Sequence, residues 1–238
     1  MKIIDVYTEI GMPPLWGEES DSHKLLDNME ENGIMGSCVC STQATVDFQK
    51  ANYEVNELIS NNSKFLGILA VNIDYFMESG EQLRKYLITP KFIAIKLFSK
   101  SEITLDSCDA FLNIHRRYGT PVFIDCYNAT QANNIEEIAK EFNQMKFVML
   151  GMGGEDYRTA ISIARKTVNI YLETGGSLDP YKIKYACETI GSHRLIYGSH
   201  TPYVESTVYR SLIENSLEDQ RDKMDIYYNS AKRLFNWK

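Results

Sequence analysis

The chain has 238 residues, 44% of them hydrophobic and 24% charged, with a formal net charge of −7. That length suits one large domain with a sizeable core, and the composition is ordinary for a globular protein. The acidic balance argues against a nucleic-acid surface, and no apolar stretch approaches the roughly 20 residues that span a bilayer.

The N-terminal MKIIDVYTEIG has neither a long apolar stretch nor a small-residue cleavage site, so a cytoplasmic location is expected. Five cysteines, Cys38, Cys40, Cys108, Cys126 and Cys187, are an odd number at irregular spacing, which is no disulfide framework. They read as small buried hydrophobes in a reducing compartment, with Cys126 the one candidate for reactivity. Cys38 and Cys40 are not expected to share a ligand.

In chain order, eight short apolar runs recur: IIDVY (3–7), SCVCS (37–41), FLGILAV (65–71), FIAIKLF (92–98), PVFIDC (121–126), KFVML (146–150), NIYLE (169–173) and RLIYG (194–198). Continuous hydrophobicity, rather than alternation, marks strands buried on both faces of a parallel sheet. Helical patterns fill the gaps. Asp21 or Ser22 can cap a first helix that holds Leu25, Leu26 and Met29 and ends at Asn32-Gly33. Residues 46–60 put Ala51, Val55, Leu58 and Ile59 on one face; Leu83, Tyr86 and Leu87 form a third helix, and Cys108, Phe111, Leu112 and His115 a fourth. Thr130 is the expected cap of the fifth. Residues 157–166, 179–190 and 204–213 supply three more, and MDIYYNSAKRLF closes the chain as a terminal helix.

Eight strands each followed by a helix predict a single-domain (β/α)8 TIM barrel over residues 1–238, with an open doubly wound sheet as the alternative. A barrel places its site at the C-terminal ends of the strands. The polar residues there are Tyr7, Glu9, Ser41, Gln43, Asn72, Asp74, Lys96, Asp125, Glu173 and His200. Ionisable groups so near an apolar core need partners or a function.

The order IDVYTEIG, GILAVN, AIKLF, PVFIDC, KFVMLGMGG, NIYLETGGS, RLIYGSHTP and NSAKRLFNW resembles the amidohydrolase-related branch of the amidohydrolase superfamily. The resemblance implies a (β/α)8 barrel and a metal-dependent hydrolase or decarboxylase. It also implies metal ligands that this chain does not have. The first-strand His-x-His positions are Tyr7 and Glu9, the fifth-strand ligand is Asp125, the His before Met-Gly-Gly is Gly151, and the eighth-strand Asp is His200. Lys96 keeps the family's Ile-Lys-Leu pattern, whereas the His often found two residues later is Phe98.

Three readings of that altered mouth follow. Glu9, Asp125 and His200 could form a rebuilt site for zinc, manganese or iron. Asp125, His200 and Lys96 could instead act without metal on a small ester, lactone or amide: Asp125 as base or orienter of His200, and Lys96 or Tyr7 stabilising an oxyanion. The third reading is a barrel that binds a small ligand or partner without turnover, its polar residues forming a satisfied network. Tyr7, Glu173 and Trp16 are the candidate substrate contacts, and the apolar first loop around Trp16 is a lid, a substrate wall or a homo-oligomer contact. Gly151, Gly153 and Gly154, like Gly175-Gly176, could cradle a phosphate but serve turn geometry more readily. His23, His115 and His193 read as surface or packing residues.

Overall fold

A computed structural model describes residues 1–12 and 19–237. Eight parallel strands follow in chain order: β1 (Ile3–Ile10), β2 (Ile34–Ser41), β3 (Phe65–Asn72), β4 (Phe92–Phe98), β5 (Val122–Asp125), β6 (Phe147–Leu150), β7 (Ile170–Glu173) and β8 (Leu195–Ile196). Each pairs with the next. The seam between β8 and β1 closes just beyond the short last strand, where Val6, Glu9 and His200 amides donate to the carbonyls of Tyr197, Thr201 and Tyr7 at 2.9, 2.7 and 3.1 Å. The sheet is a barrel, as the strand count implies.

Helices α1 (Ser22–Glu31), α2 (Phe48–Asn61), α3 (Phe76–Tyr86), α4 (Leu105–His115), α5 (Ala129–Glu141), α6 (Tyr157–Lys166), α7 (Tyr181–Ile190) and α8 (Ser206–Ser216) follow the strands. Asp21 caps α1 by accepting from the amides of His23 and Lys24. The cap of α5 is Asn128, which accepts from Gln131, and not Thr130; Asn128 sits in extended backbone just ahead of the first turn, where a capping side chain must stand. The closing helix is three pieces: α9 (Gln220–Met224), a π-helical turn (Asp225–Asn229) and α10 (Ser230–Phe235). Within that turn the Ile226 carbonyl accepts the Tyr197 amide at 3.1 Å. This bond takes Tyr197 out of the strand ladder and leaves β8 shorter than its apolar run.

Strand side chains alternate between two cores. Ile4, Val6, Cys38, Cys40, Ile68, Ala70, Ala94, Phe123, Val148, Leu150 and Ile196 fill the barrel. Val39, Leu69, Val71, Ile95, Leu97, Val122, Ile124, Met149 and Leu172 face the helices. Cys38 and Cys40 therefore share the interior face, as residues two apart in a strand must. Both thiols are buried, and burial pushes the Cys40 thiol up to about 12. Cys126 is buried too, its thiol likewise pushed up to about 12, which makes it a packing group rather than a nucleophile. Ala231 and Phe235 join the interior set, with Phe235 6.0 Å from Phe123 and Trp237 against Gly36 near the start of β2. The closing segment thus plugs the N-terminal opening and leaves the opposite mouth for chemistry. Removing a ring such as Phe123 from this packing would cost about 3–5 kcal/mol.

Candidate functional site

At the mouth, the ionisable residues sort into two groups rather than one. The first is built on Lys96 of β4, which is 5% exposed. Its ammonium lies 3.2 Å from Asp125 Oδ1 on the neighbouring β5 and 3.9 Å from Glu9 Oε1 on β1, and it donates to Tyr7 Oη at 2.5 Å. Tyr7 Oη in turn donates to Glu9 Oε1. Burial alone would lower the lysine pKa, but the charges of Asp125 and Glu9 outweigh it and raise the value, so Lys96 is a fixed cation. Burial, then the Glu9 charge, holds the Tyr7 phenol far above its ordinary range and keeps it protonated.

The second group joins β7 to the segment that follows β8. Glu173 is completely buried and accepts from His200 Nε2 at 2.7 Å, from the Gly151 amide at 2.9 Å and from the Gly175 amide at 2.6 Å. Burial opposes the imidazolium, yet the facing Glu173 carboxylate raises the His200 pKa overall. His200 has φ +58, a left-handed conformation that non-glycine residues rarely adopt and that concentrates at functional sites. The Tyr7 and His200 rings touch, with centroids 5.0 Å apart, and link the two groups. Beneath them Asp5 Oδ1 accepts from the amides of Tyr7 (3.2 Å) and Ser199 (3.0 Å), tying β1 to the segment that carries His200.

Two chambers open above these groups. A cavity of about 640 Å³ is lined by Glu9, Lys96, Phe98, Asp125, Glu102 and Tyr203 among others, and one of about 410 Å³ by Tyr127, Glu155, Gly176, His200, Tyr203 and Tyr209. Tyr203 stands in both walls and donates to Glu9 Oε2 at 3.1 Å. It escaped the sequence reading because loop residues carry no periodicity; its place three residues after His200 was the available signal.

Of the residues expected at the site, Lys96, Asp125 and Glu9 meet in one cluster, while His200 faces the second chamber. Tyr7 and Glu173, expected against substrate, line neither chamber. Tyr7 is a buried strut under Lys96, and Glu173 lies behind His200, its oxygens consumed by three donors. Trp16 falls outside the described residues. The glycine amides that could have cradled a phosphate are spent on Glu173 at Gly151 and Gly175. His23 and His193 are exposed, and His115 is buried against Thr120, its pKa lowered to about 3 by burial.

The metal trio Glu9, Asp125 and His200 does not fit a metal ion. Among the described residues no group of three or more His, Cys, Asp and Glu side chains is placed to hold one. The ammonium of Lys96 stands between the two carboxylates, and His200 Nε2 is committed to Glu173. Nor could residue 151 return a ligand easily: its φ is +84, and a Cβ there would sit 2.5 Å from Tyr127 Cε1.

Fold and mouth together define a (β/α)8 barrel with a ligand-sized opening at the C-terminal ends of its strands. The chain belongs to the amidohydrolase family, whose sequence profile matches residues 41–237. No curated protein matches the sequence. Among solved structures it is similar to a 2,6-dihydroxybenzoate decarboxylase from Rhizobium (TM-score 0.83, 14% identity, 98% of each chain covered). It is also similar to a 5-carboxyvanillate decarboxylase from Sphingomonas paucimobilis (0.81, 12%, 100% of this chain and 99% of that one). A third is a dihydroxybenzoic acid decarboxylase from a Polaromonas species with bound manganese and the inhibitor 2-nitroresorcinol (0.79, 15%, 98% and 96%). At such identities the likeness is one of fold.

Proposed function

We propose that the barrel mouth is a metal-independent acid–base site that hydrolyses a small ester, lactone or amide. The observation that carries this reading is the Lys96–Asp125 pair in the wall of the larger chamber. The side chain of Asp125 is 39% exposed, and its Oδ2 has no protein partner among the described residues. Asp125 takes a proton from the attacking water, the water oxygen bonds to the carbonyl carbon, and the Lys96 ammonium stabilises the resulting oxyanion. His200 Nδ1 has no partner among the described residues, so the imidazolium favoured by Glu173 can give its proton to the departing oxygen or nitrogen of a substrate that extends past Tyr203, which stands in both walls, into the adjoining chamber. Tyr7 and Glu9 hold Lys96 in place.

The test is turnover of p-nitrophenyl acetate and γ-butyrolactone in the presence of EDTA, for the native protein and for Asp125→Asn and Lys96→Met variants with matching circular dichroism. The expected loss in each variant is about 10²-fold. Native turnover no faster than buffer, or an Asp125→Asn variant as fast as the native protein, would defeat the reading. The full pairing of Lys96 and His200 with carboxylates also favours a second reading, a barrel that binds without turnover; ligand binding with no turnover would select it.

A further inference from the structure

We infer that the larger chamber selects a small ligand bearing a positive charge, an amine or amidine, over its neutral isostere, and rejects the corresponding carboxylate. This rests on the reading of the mouth as a small-molecule site and extends it to the ligand's charge. Among the described residues three carboxylates, Glu9, Asp125 and Glu102, line the chamber against one cation, Lys96. That cation is already shared: Asp125 lies 3.2 Å from it, Glu9 3.9 Å, and the Tyr7 hydroxyl accepts one of its protons.

What the chamber still offers is negative. Asp125 Oδ2 is unpartnered among the described residues, and the exposed Glu102 of the same lining accepts a hydrogen bond from Asn134 at 3.4 Å. Serine and threonine hydroxyls, the Tyr203 phenol and the Gln131 amide add further polar groups to the wall; they can turn an oxygen toward a donor and add no positive charge. The adjoining chamber repeats the balance, since its His200 is paired with Glu173 and it adds Glu155. Among the described residues no arginine lines either chamber. A carboxylate entering here would meet unneutralised oxygens in a partly desolvated space, where repulsion is strong, whereas an amidinium could donate a charge-assisted hydrogen bond to Asp125 Oδ2. The relatives named above are decarboxylases of aromatic acids; the charge of this mouth points to another ligand class on the same fold.

Benzamidine, benzamide and benzoate are near-isosteric and differ in charge, so calorimetric titration of the full chain with each at low salt tests the inference. Benzamidine should bind at least about tenfold more tightly than benzamide, benzoate should give no heat, and Asp125→Asn should erase the benzamidine advantage. Glu102→Gln, an exposed change with no folding risk, should weaken benzamidine severalfold and leave benzamide alone. Three equal affinities, or benzoate the tightest, would overturn the charge inference while leaving a small-molecule site standing. No binding by any probe up to about 10 mM would overturn the site reading itself, and the inference with it.

Discussion

Replacing Lys96 by Met keeps the length of the side chain and removes its charge from between two carboxylates. Lys96 is 5% and Glu9 8% exposed, so most of that pairing occurs away from water. With an effective dielectric constant near 20, separations of 3.2 and 3.9 Å correspond to about 5 and 4 kcal/mol of attraction before desolvation. The Asp125 share must be discounted because that carboxylate is 39% exposed on its side chain and keeps part of its hydration. Desolvation of the lysine itself offsets much of the remainder. What is left is the penalty of abandoning a buried anion, which sets the expected destabilisation at about 3 kcal/mol at pH 7. Urea unfolding followed by circular dichroism measures it. Adding Glu9→Gln to Lys96→Met removes the abandoned charge and should recover about half of the loss. A single variant within about 0.5 kcal/mol of the native protein, or a cycle with no coupling, would refute the account of Lys96 as the charge that holds the mouth together.

Asp5 gives a pH-dependent test. Burial raises its pKa to about 7, ahead of the opposing hydrogen bonds from Ser199 and Tyr7, and its Oδ2 has no partner among the described residues. The folded state therefore holds this proton more tightly than the unfolded chain; the stability so gained is full below about 4 and is lost as pH rises through about 7. Asp5→Asn keeps the acceptor for both amides and cannot ionise, so it should exceed the native protein by about 4 kcal/mol at pH 8 and by progressively less toward pH 4. Denaturant midpoints across that range decide it, and a gap that does not change with pH would sink it. Gly151→Ala must adopt φ +84 and press its Cβ against the Tyr127 ring, and should lose about 2 kcal/mol in the same assay; an unchanged midpoint would show that the loop yields freely.

The barrel was legible because strands buried on both faces are written as unbroken apolar runs, and all eight runs became strands. Where the reading overran the last strand, a tertiary bond was responsible. The Tyr197 amide goes to Ile226 on the closing helical segment, and no local pattern announces that. At the mouth, the strand-end rule named residues that do lie near one another there, but not how they pair. Lys96 with Asp125 pairs adjacent strands, β4 with β5, and Glu173 of β7 meets His200 on the segment after β8, whereas Glu9 reaches Lys96 from β1. Which carboxylate each cation meets depends on strand tilt and on the bulged register of β1 near Asp5–Thr8, and a linear string does not encode either one directly. Glu173 illustrates the point: it stands at a strand end as expected, but three donors turn it inward, away from any ligand.

A positive centre that is part of the polypeptide arrives with translation itself, one per molecule, and needs no loading from the cell's pool of trace elements. Chelators cannot strip it, and a mismatched ion cannot take its seat. The same tether also fixes its strength at one unit of charge, so adjusting this mouth to a new ligand falls to its surrounding acids rather than to an exchange of ions.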